Sequence, residues 1–261
     1  MIRLVVSNQR GGVSKTTTAT TLAREFADRN LKVLVIDTDP QGSISSVLNL
    51  KPEYGLYNFV IERLRFDDCI VKVSDRLHVL CSNRETTKVE TILMGNVARE
   101  HAFTQLFSQV ERDYDVVLID VSPSITLLQT CAMVYAERVL IPIAMDTLSF
   151  QGAMASIEAS KSLNQLLRSN IRTVGLLPVM VDRRLAMTSA ILDGLEGLSK
   201  GMGIPLLHSI RTDQSVTKAA RAGVFLSDYD PKCKAIEDYQ EVTEELMQLF
   251  KDDLNGSRNT A

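Results

Sequence analysis

Ser7-Asn8-Gln9-Arg10-Gly11-Gly12-Val13-Ser14-Lys15-Thr16-Thr17 is the stretch that decides the fold. The β-branched run Ile2-Arg3-Leu4-Val5-Val6 precedes it, and a helical pattern from Lys15 to Arg29 follows at once. A strand therefore runs through a glycine-rich turn into a helix. Such a turn turns backbone N–H groups toward an anion, and the helix N-terminus adds the positive end of its dipole. In that setting Lys15 reaches β- and γ-phosphates and the Thr16 hydroxyl reaches Mg²⁺. The spacing G-x-x-x-x-G-K-[ST] fails at both glycine positions, which hold Gln9 and Ser14. The stretch fits [K]-G-G-x-x-K-[ST] instead, with Arg10 in the leading place.

Outward from this turn, short apolar runs alternate with longer helical stretches. Lys32–Ile36, Leu77–Cys81, Asp115–Ile119, Arg138–Ile143 and Thr173–Val179 read as strands, with helical material at about Lys88–Val110, around Leu127, Leu128 and Met133, and over Phe150–Arg168. Strands that are apolar on both faces, separated by helices, call for a mostly parallel sheet covered on both sides. The βαβα order predicts a single-domain, doubly wound α/β fold over residues 1–254, followed by a frayed tail at 255–261. The 261 residues, 45% hydrophobic and 23% charged, supply a core and exclude global disorder; a net charge of −3 excludes a uniformly basic surface. Cys69, Cys81, Cys131 and Cys233 form no C-x-x-C pair and read as reduced, buried thiols. His78, His101 and His208 are dispersed, which argues against a His/Cys metal site. The chain opens on a strand with no cationic leader, and no apolar stretch approaches the ~20 residues that span a bilayer, so a soluble intracellular protein is expected.

Two further strands end in carboxylates. Ile36-Asp37-Thr38-Asp39-Pro40-Gln41-Gly42 places Asp37 and Asp39 at the carboxyl edge of the sheet, where open α/β folds bind ligands. Alone, either could be a helix cap. Beside a phosphate loop, such a carboxylate orients an attacking water or holds a metal-bound one. Val116-Val117-Leu118-Ile119-Asp120-Val121-Ser122-Pro123 repeats the pattern, and its Asp120 suits Mg²⁺, directly or through water. Thr16, Asp39 and Asp120 are the expected metal set.

With these residues the chain resembles the ParA/MinD family of deviant Walker ATPases. The resemblance rests on Asn8–Thr18, Ile36–Gly42 and Ile119–Ser124, and continues through Ile210-Arg211-Thr212-Asp213-Gln214 and from Gly223 to the terminal helix. It implies ATP and Mg²⁺ as cofactors, an ATP-sandwich homodimer, nonspecific binding to double-stranded DNA, and hydrolysis stimulated by a ParB-like or McdB-like adaptor on a cargo. Residue by residue, it implies that Arg10, Gly11, Gly12, Val13, Ser14, Lys15, Thr16 and Thr17 cradle the nucleotide. Lys15 would contact the β/γ-phosphates and Thr17 the α-phosphate, Asp39 would hold the catalytic water, and Asp37 and Asp120 would support the metal. By position, Met180 and the Ile210–Asp213 loop lie where the adenine would. The family's signature lysine is Arg10 here; arginine keeps the charge but is longer, planar and forked. It either acts as an arginine finger across the dimer or fits poorly and leaves hydrolysis to other groups. Loss of this lysine is a feature of McdA-type relatives, so the implied cargo is a plasmid or a carboxysome. The implied location is the cytoplasm, on the nucleoid. A nucleotide-gated metabolic enzyme on the same fold and a non-hydrolysing ATP-dependent DNA-binding module are the alternatives.

Residues 168–234 hold ten basic and six acidic side chains in a chain that is acidic overall. Clustered Lys and Arg suffice for nonspecific DNA affinity if they share a face. Arg183, Arg184, Arg211, Lys218 and Arg221 are the expected contacts, though solvated helix surfaces would give the same composition. The terminal helix carries an apolar stripe (Ile236, Tyr239, Val242, Leu246, Leu249 and Phe250) among mostly acidic charges. An anionic bilayer would repel it, so it is expected to dock on the sheet, and no membrane partner is expected.

Overall fold

The computed structural model describes residues 1–258. Its strands are β1 (Ile2–Val6), β2 (Val33–Asp37), β3 (Ile70–Ser74), β4 (Leu77–Leu80), β5 (Val116–Asp120), β6 (Arg138–Ala144) and β7 (Arg172–Val179). They form one sheet in the order β3-β4-β2-β5-β1-β6-β7, parallel throughout except for β3, which runs antiparallel to β4. Every residue of β2 and β5 is buried. The reason lies in the period-two geometry of a strand. Leu4, Val33, Val35, Val116 and Leu118 face one core with Phe26, Tyr239 and Leu246. Val5, Leu34, Ile36, Val117 and Ile119 face the other with Phe103, Phe107 and Tyr135. A strand with a core on each side takes polar residues only at its end, as Asp37 and Asp120 show, hence the apolar runs before them.

The strand order also places the ligand crevice. From β1 the chain crosses to β2 on one side, and from β5 it crosses to β6 on the other. The crevice of such a sheet opens where the direction reverses, outside the carboxyl ends of β1 and β5.

Two expectations need correction. β3 is an additional strand: Ile70-Val71-Lys72-Val73-Ser74 lies at the sheet edge, and none of its residues is fully buried. The helix expected over Lys88–Val110 is broken into Thr86–Leu93, a 3₁₀ turn at Arg99–His101 and Ala102–Phe107. The break contains Gly95 and a left-handed Ala98 (φ 54°), and its apolar spacing continues across a loop.

The helix after the glycine-rich turn spans Lys15–Asp28, and the terminal helix Lys234–Leu249 packs on it. The Thr18 and Tyr239 hydroxyls share a buried hydrogen bond of 3.0 Å, and Arg29 Nε donates to Glu244 at 2.8 Å. The terminal stripe thus docks as expected at Ile236, Tyr239, Val242, Leu246 and Phe250, while Leu249 is exposed. A last helix, Lys251–Arg258, continues four residues into the segment expected to be frayed, and 259–261 lie outside the described residues. No helix among the described residues is long and apolar enough to cross a membrane.

Candidate nucleotide-binding site

The turn after β1 is shaped by two left-handed residues, Gly12 (φ 76°) and Ser14 (φ 58°), the latter at the N-cap of Lys15–Asp28. A Cβ added to Gly11 or Gly12 would meet no atom within 4 Å, so the space over the turn is open. Lys15 is buried; its ammonium donates to the Arg10 carbonyl at 2.8 Å and the Asn8 carbonyl at 3.2 Å. Burial lowers its pKa, against the opposing pull of Asp120 and Asp39. Val13 is buried beneath the turn, and Thr17 is half-buried one position beyond Thr16.

β1, β2 and β5 are neighbours, so their ends converge. Val6 pairs with Asp120, and Asp120 with Asp37. The Thr16 hydroxyl donates to Asp120 Oδ2 at 2.6 Å, while Asp120 Oδ1 is buried with no hydrogen-bond partner. Burial pushes the Asp120 carboxyl up to about 7, although the Thr16 bond and Lys15 oppose the shift. Asp37 is also raised, by burial and then by Asp120. Both Asp37 oxygens are engaged, accepting from Asp39 N at 2.9 Å and Ile44 N at 3.1 Å. Asp37 thus shapes the turn that presents Asp39 and starts the short helix Ser43–Val47, rather than facing a ligand. Asp39 is half-buried and its Oδ1 accepts from Gln41 N at 2.9 Å.

An orphaned, buried carboxylate oxygen beside a hydroxyl suits a hard divalent cation. Thr16 and Asp120 would hold Mg²⁺ here. Among the described residues no three His, Cys, Asp or Glu side chains are grouped to bind a metal by themselves. Mg²⁺ does not require such a cage, because it usually keeps waters and shares one or two protein groups with substrate phosphates.

Arg10 is exposed, and its guanidinium makes no hydrogen bond or ion pair among the described residues. It lies near Asp146; burial works against that carboxylate, but bonds from Ser149 and the charge of Arg10 hold it below its usual value.

The sequence reading missed what supports this loop. The helix Thr147–Leu167, remote in sequence, lies against it: the Gln9 N–H donates to Ser156 Oγ at 3.1 Å and the Gln9 side chain to the Ala155 carbonyl at 3.1 Å. Gln129 Nε2 donates to Ser7 Oγ at 2.9 Å. No local spacing announces such partners; the only hint was the small-residue run Gly152-Ala153 within a helix.

The two segments expected near an adenine do meet, since Thr212 N donates to the Val181 carbonyl at 3.1 Å. Met180 is exposed in the left-handed region (φ 55°). The Asp213 carboxylate, however, caps the helix Gln214–Ala222 by accepting from Ser215 N at 2.8 Å, which is a structural use. Of the basic candidates, Arg183, Lys218 and Arg221 are exposed; Lys218 and Arg221, three apart on Gln214–Ala222, share one face. Arg184 is exposed but paired with Asp182 at 2.6 Å. Arg211 is exposed as well, with its guanidinium 2.7 Å from the buried Asp238 and 3.3 Å from Glu237, so much of its charge is compensated within the fold.

A family model described as an AAA domain, AAA_31, matches residues 1–173, which contain the glycine-rich turn and all three strand-end carboxylates. The chromosome-partitioning ATPase Soj of Thermus thermophilus is 30% identical over 191 residues, 72% of this chain and 73% of that one. The chain belongs to the ParA/MinD family. Solved structures share the fold at lower identity. An apo McdA from Cyanothece matches with a TM-score of 0.83 and 19% identity, over 95% of this chain and 99% of that one. A cobyrinic acid a,c-diamide synthase from Mycobacterium smegmatis, with bound ADP and magnesium, matches at 0.81 and 24% over 96% of each. The ParA/MinD fold of this chain is thus a seven-stranded, mostly parallel α/β sheet with the loop, Asp39 and Asp120 at one edge.

Proposed function

We propose that this chain is a ParA-type ATPase that dimerises around Mg·ATP, binds DNA without sequence preference in that state, and positions or segregates a cargo through an adaptor protein. The observation that carries the reading is the convergence of three strand ends on one crevice, with Thr16 on Asp120 at 2.6 Å and Lys15 beneath the open loop. The loop N–H groups and Lys15 bind the phosphates, and Thr16 and Asp120 hold the cation, which neutralises phosphate charge. Asp39 orients the attacking water and accepts its proton. The uncommitted guanidinium of Arg10 suits a trans contact to the phosphates of a second copy, a role worth up to ~10³–10⁵ in rate elsewhere. The Soj relative supports a partition role over a metabolic one. The protein works in the cytoplasm, on the nucleoid, with a plasmid, a carboxysome or a similar body as cargo.

Gel shifts on arbitrary duplex DNA with no nucleotide, ADP or ATP test this directly. Binding is expected with ATP alone and is expected to vanish in Lys15→Gln; a wild type that ignores DNA in all three states sinks the reading. Arg10→Lys in the same series tests whether the forked head is required.

Exposed Lys218 and Arg221 supply a second test. Each phosphate contact contributes about 0.9 to the log–log salt slope of binding. A dimer of Lys218→Ala/Arg221→Ala should therefore bind with a slope shallower by about 3 to 4. An unchanged slope places the DNA surface elsewhere.

A further inference from the structure

Asn8 lies outside the phosphate-loop pattern, yet it is completely buried and all its side-chain polar atoms are engaged. Nδ2 donates to the Pro142 carbonyl at 2.8 Å and the Ser149 carbonyl at 3.2 Å. Oδ1 accepts from the Arg10 N–H at 3.0 Å. The first two partners lie on β6 and in the first turn of Thr147–Leu167, more than 130 residues away in sequence. One amide therefore joins the Arg10 backbone to two rigid elements. The same helix leaves room for it one turn on: a Cβ at Gly152 would overlap Asn8 Oδ1 and come within 3.1 Å of Arg10 N. The Arg10 carbonyl is held separately, by the Lys15 ammonium at 2.8 Å, and the guanidinium itself has, among the described residues, no hydrogen bond and only the nearby charge of Asp146.

We propose that Asn8 is a positioning residue for Arg10. Its side chain anchors the Arg10 N–H to β6 and to the helix Thr147–Leu167, and so determines where the guanidinium leaves the surface. An Asn at this place does what a lone turn could not, because the turn is tied to the sheet rather than only to itself. The consequence for turnover rests on the ATPase reading above; the placement of the Arg10 backbone does not.

Amide exchange of the nucleotide-free full chain, followed by NMR, separates the two. Asn8→Ala should speed exchange at the Arg10 amide by at least about tenfold while the β1 amides keep their protection. Gly152→Ala should do the same by pushing on Asn8 Oδ1, the acceptor of the Arg10 N–H. Asn8→Asp, which keeps an acceptor but sets a carboxylate oxygen against the Pro142 and Ser149 carbonyls, should lose protection at Arg10 as Asn8→Ala does. Unchanged exchange at Arg10, or equal loss along the whole of β1, overturns the proposal. A double-mutant cycle on ATP turnover then reads the function. Asn8→Ala should lower kcat about tenfold with KM for ATP moving less than about threefold, and should cost less than about twofold more in an Arg10→Ala background. Independent, multiplying losses would show that Asn8 does not act through Arg10. A wild type without turnover sinks the ATPase reading and leaves the exchange result to decide the positioning.

Discussion

Asp39→Ala is expected to reduce ATP turnover by about 10²- to 10⁴-fold while leaving ATP bound. Asp39 stands on the turn after β2, held there by its backbone bond to Asp37, and has no hydrogen bond to the glycine-rich loop. Its removal deletes a proton acceptor and leaves every hydrogen bond of Lys15, Thr16 and the loop N–H groups in place, Asp120 remaining as the stronger counter-charge to Lys15. The variant should therefore accumulate in the ATP state, with DNA binding that still requires ATP but no longer decays as ATP is consumed. Phosphate release and titration with a fluorescent ATP analogue separate the two effects. If affinity falls as steeply as turnover, Asp39 is a ligand of the nucleotide and not the group that activates water.

Asp120→Asn should have opposite effects on stability and on nucleotide binding. The folded protein raises this carboxyl to about 7, far above the ~3.9 of an unfolded chain, because the group is buried. The folded state therefore holds the proton more tightly than the unfolded one. The associated stability is present below about pH 4 and is lost as the pH rises toward 7. At pH 8 the wild type bears the full cost of a buried charge with one unpaired oxygen. The amide carries no charge and can still accept from Thr16, so urea denaturation without nucleotide should find the variant more stable by on the order of 2 kcal/mol at pH 8, and nearly equal at pH 4 to 5. Mg²⁺-dependent ATP affinity should fall at the same time, by about tenfold or more, since a charged ligand of the cation is gone. A variant destabilised at pH 8 would mean that the Asp120 charge is well accommodated without a cation, contrary to the burial and the orphaned oxygen.

What the sequence disclosed of this site is what it carries contiguously. The loop, Asp39 and Asp120 each sit at the end of an apolar run, and the strand ends converge because β2, β5 and β1 are adjacent. The same applies to the central strands, where two buried faces leave an unmistakable apolar run. β3 escaped notice because an edge strand needs no buried face, and its Lys72 interrupts the pattern. Asp213 reads as an adenine contact by its position, and Arg211 as a DNA contact by its charge. Whether a carboxylate caps a helix, or a guanidinium meets Asp238, depends on neighbours that composition does not reveal. Asn8 and Gly152 illustrate the limit most plainly, since each acquires meaning only from the other, 144 positions away in the numbering.

Neither margin of the sheet favours a further strand. Beyond β7, Leu176 N donates to the Pro205 carbonyl, and Leu207 and Ile210 donate back to Leu176 and Pro178, so the segment 205–210 occupies that margin. At the other margin β3 runs against its neighbour, slips register between Lys72 and Ser74, and exposes Lys72. A lysine and an irregular register on a short outer strand discourage backbone pairing between molecules. Folded copies can thus be crowded together without zipping into a shared ladder. A stack of such sheets through their edges is disfavoured by the fold itself.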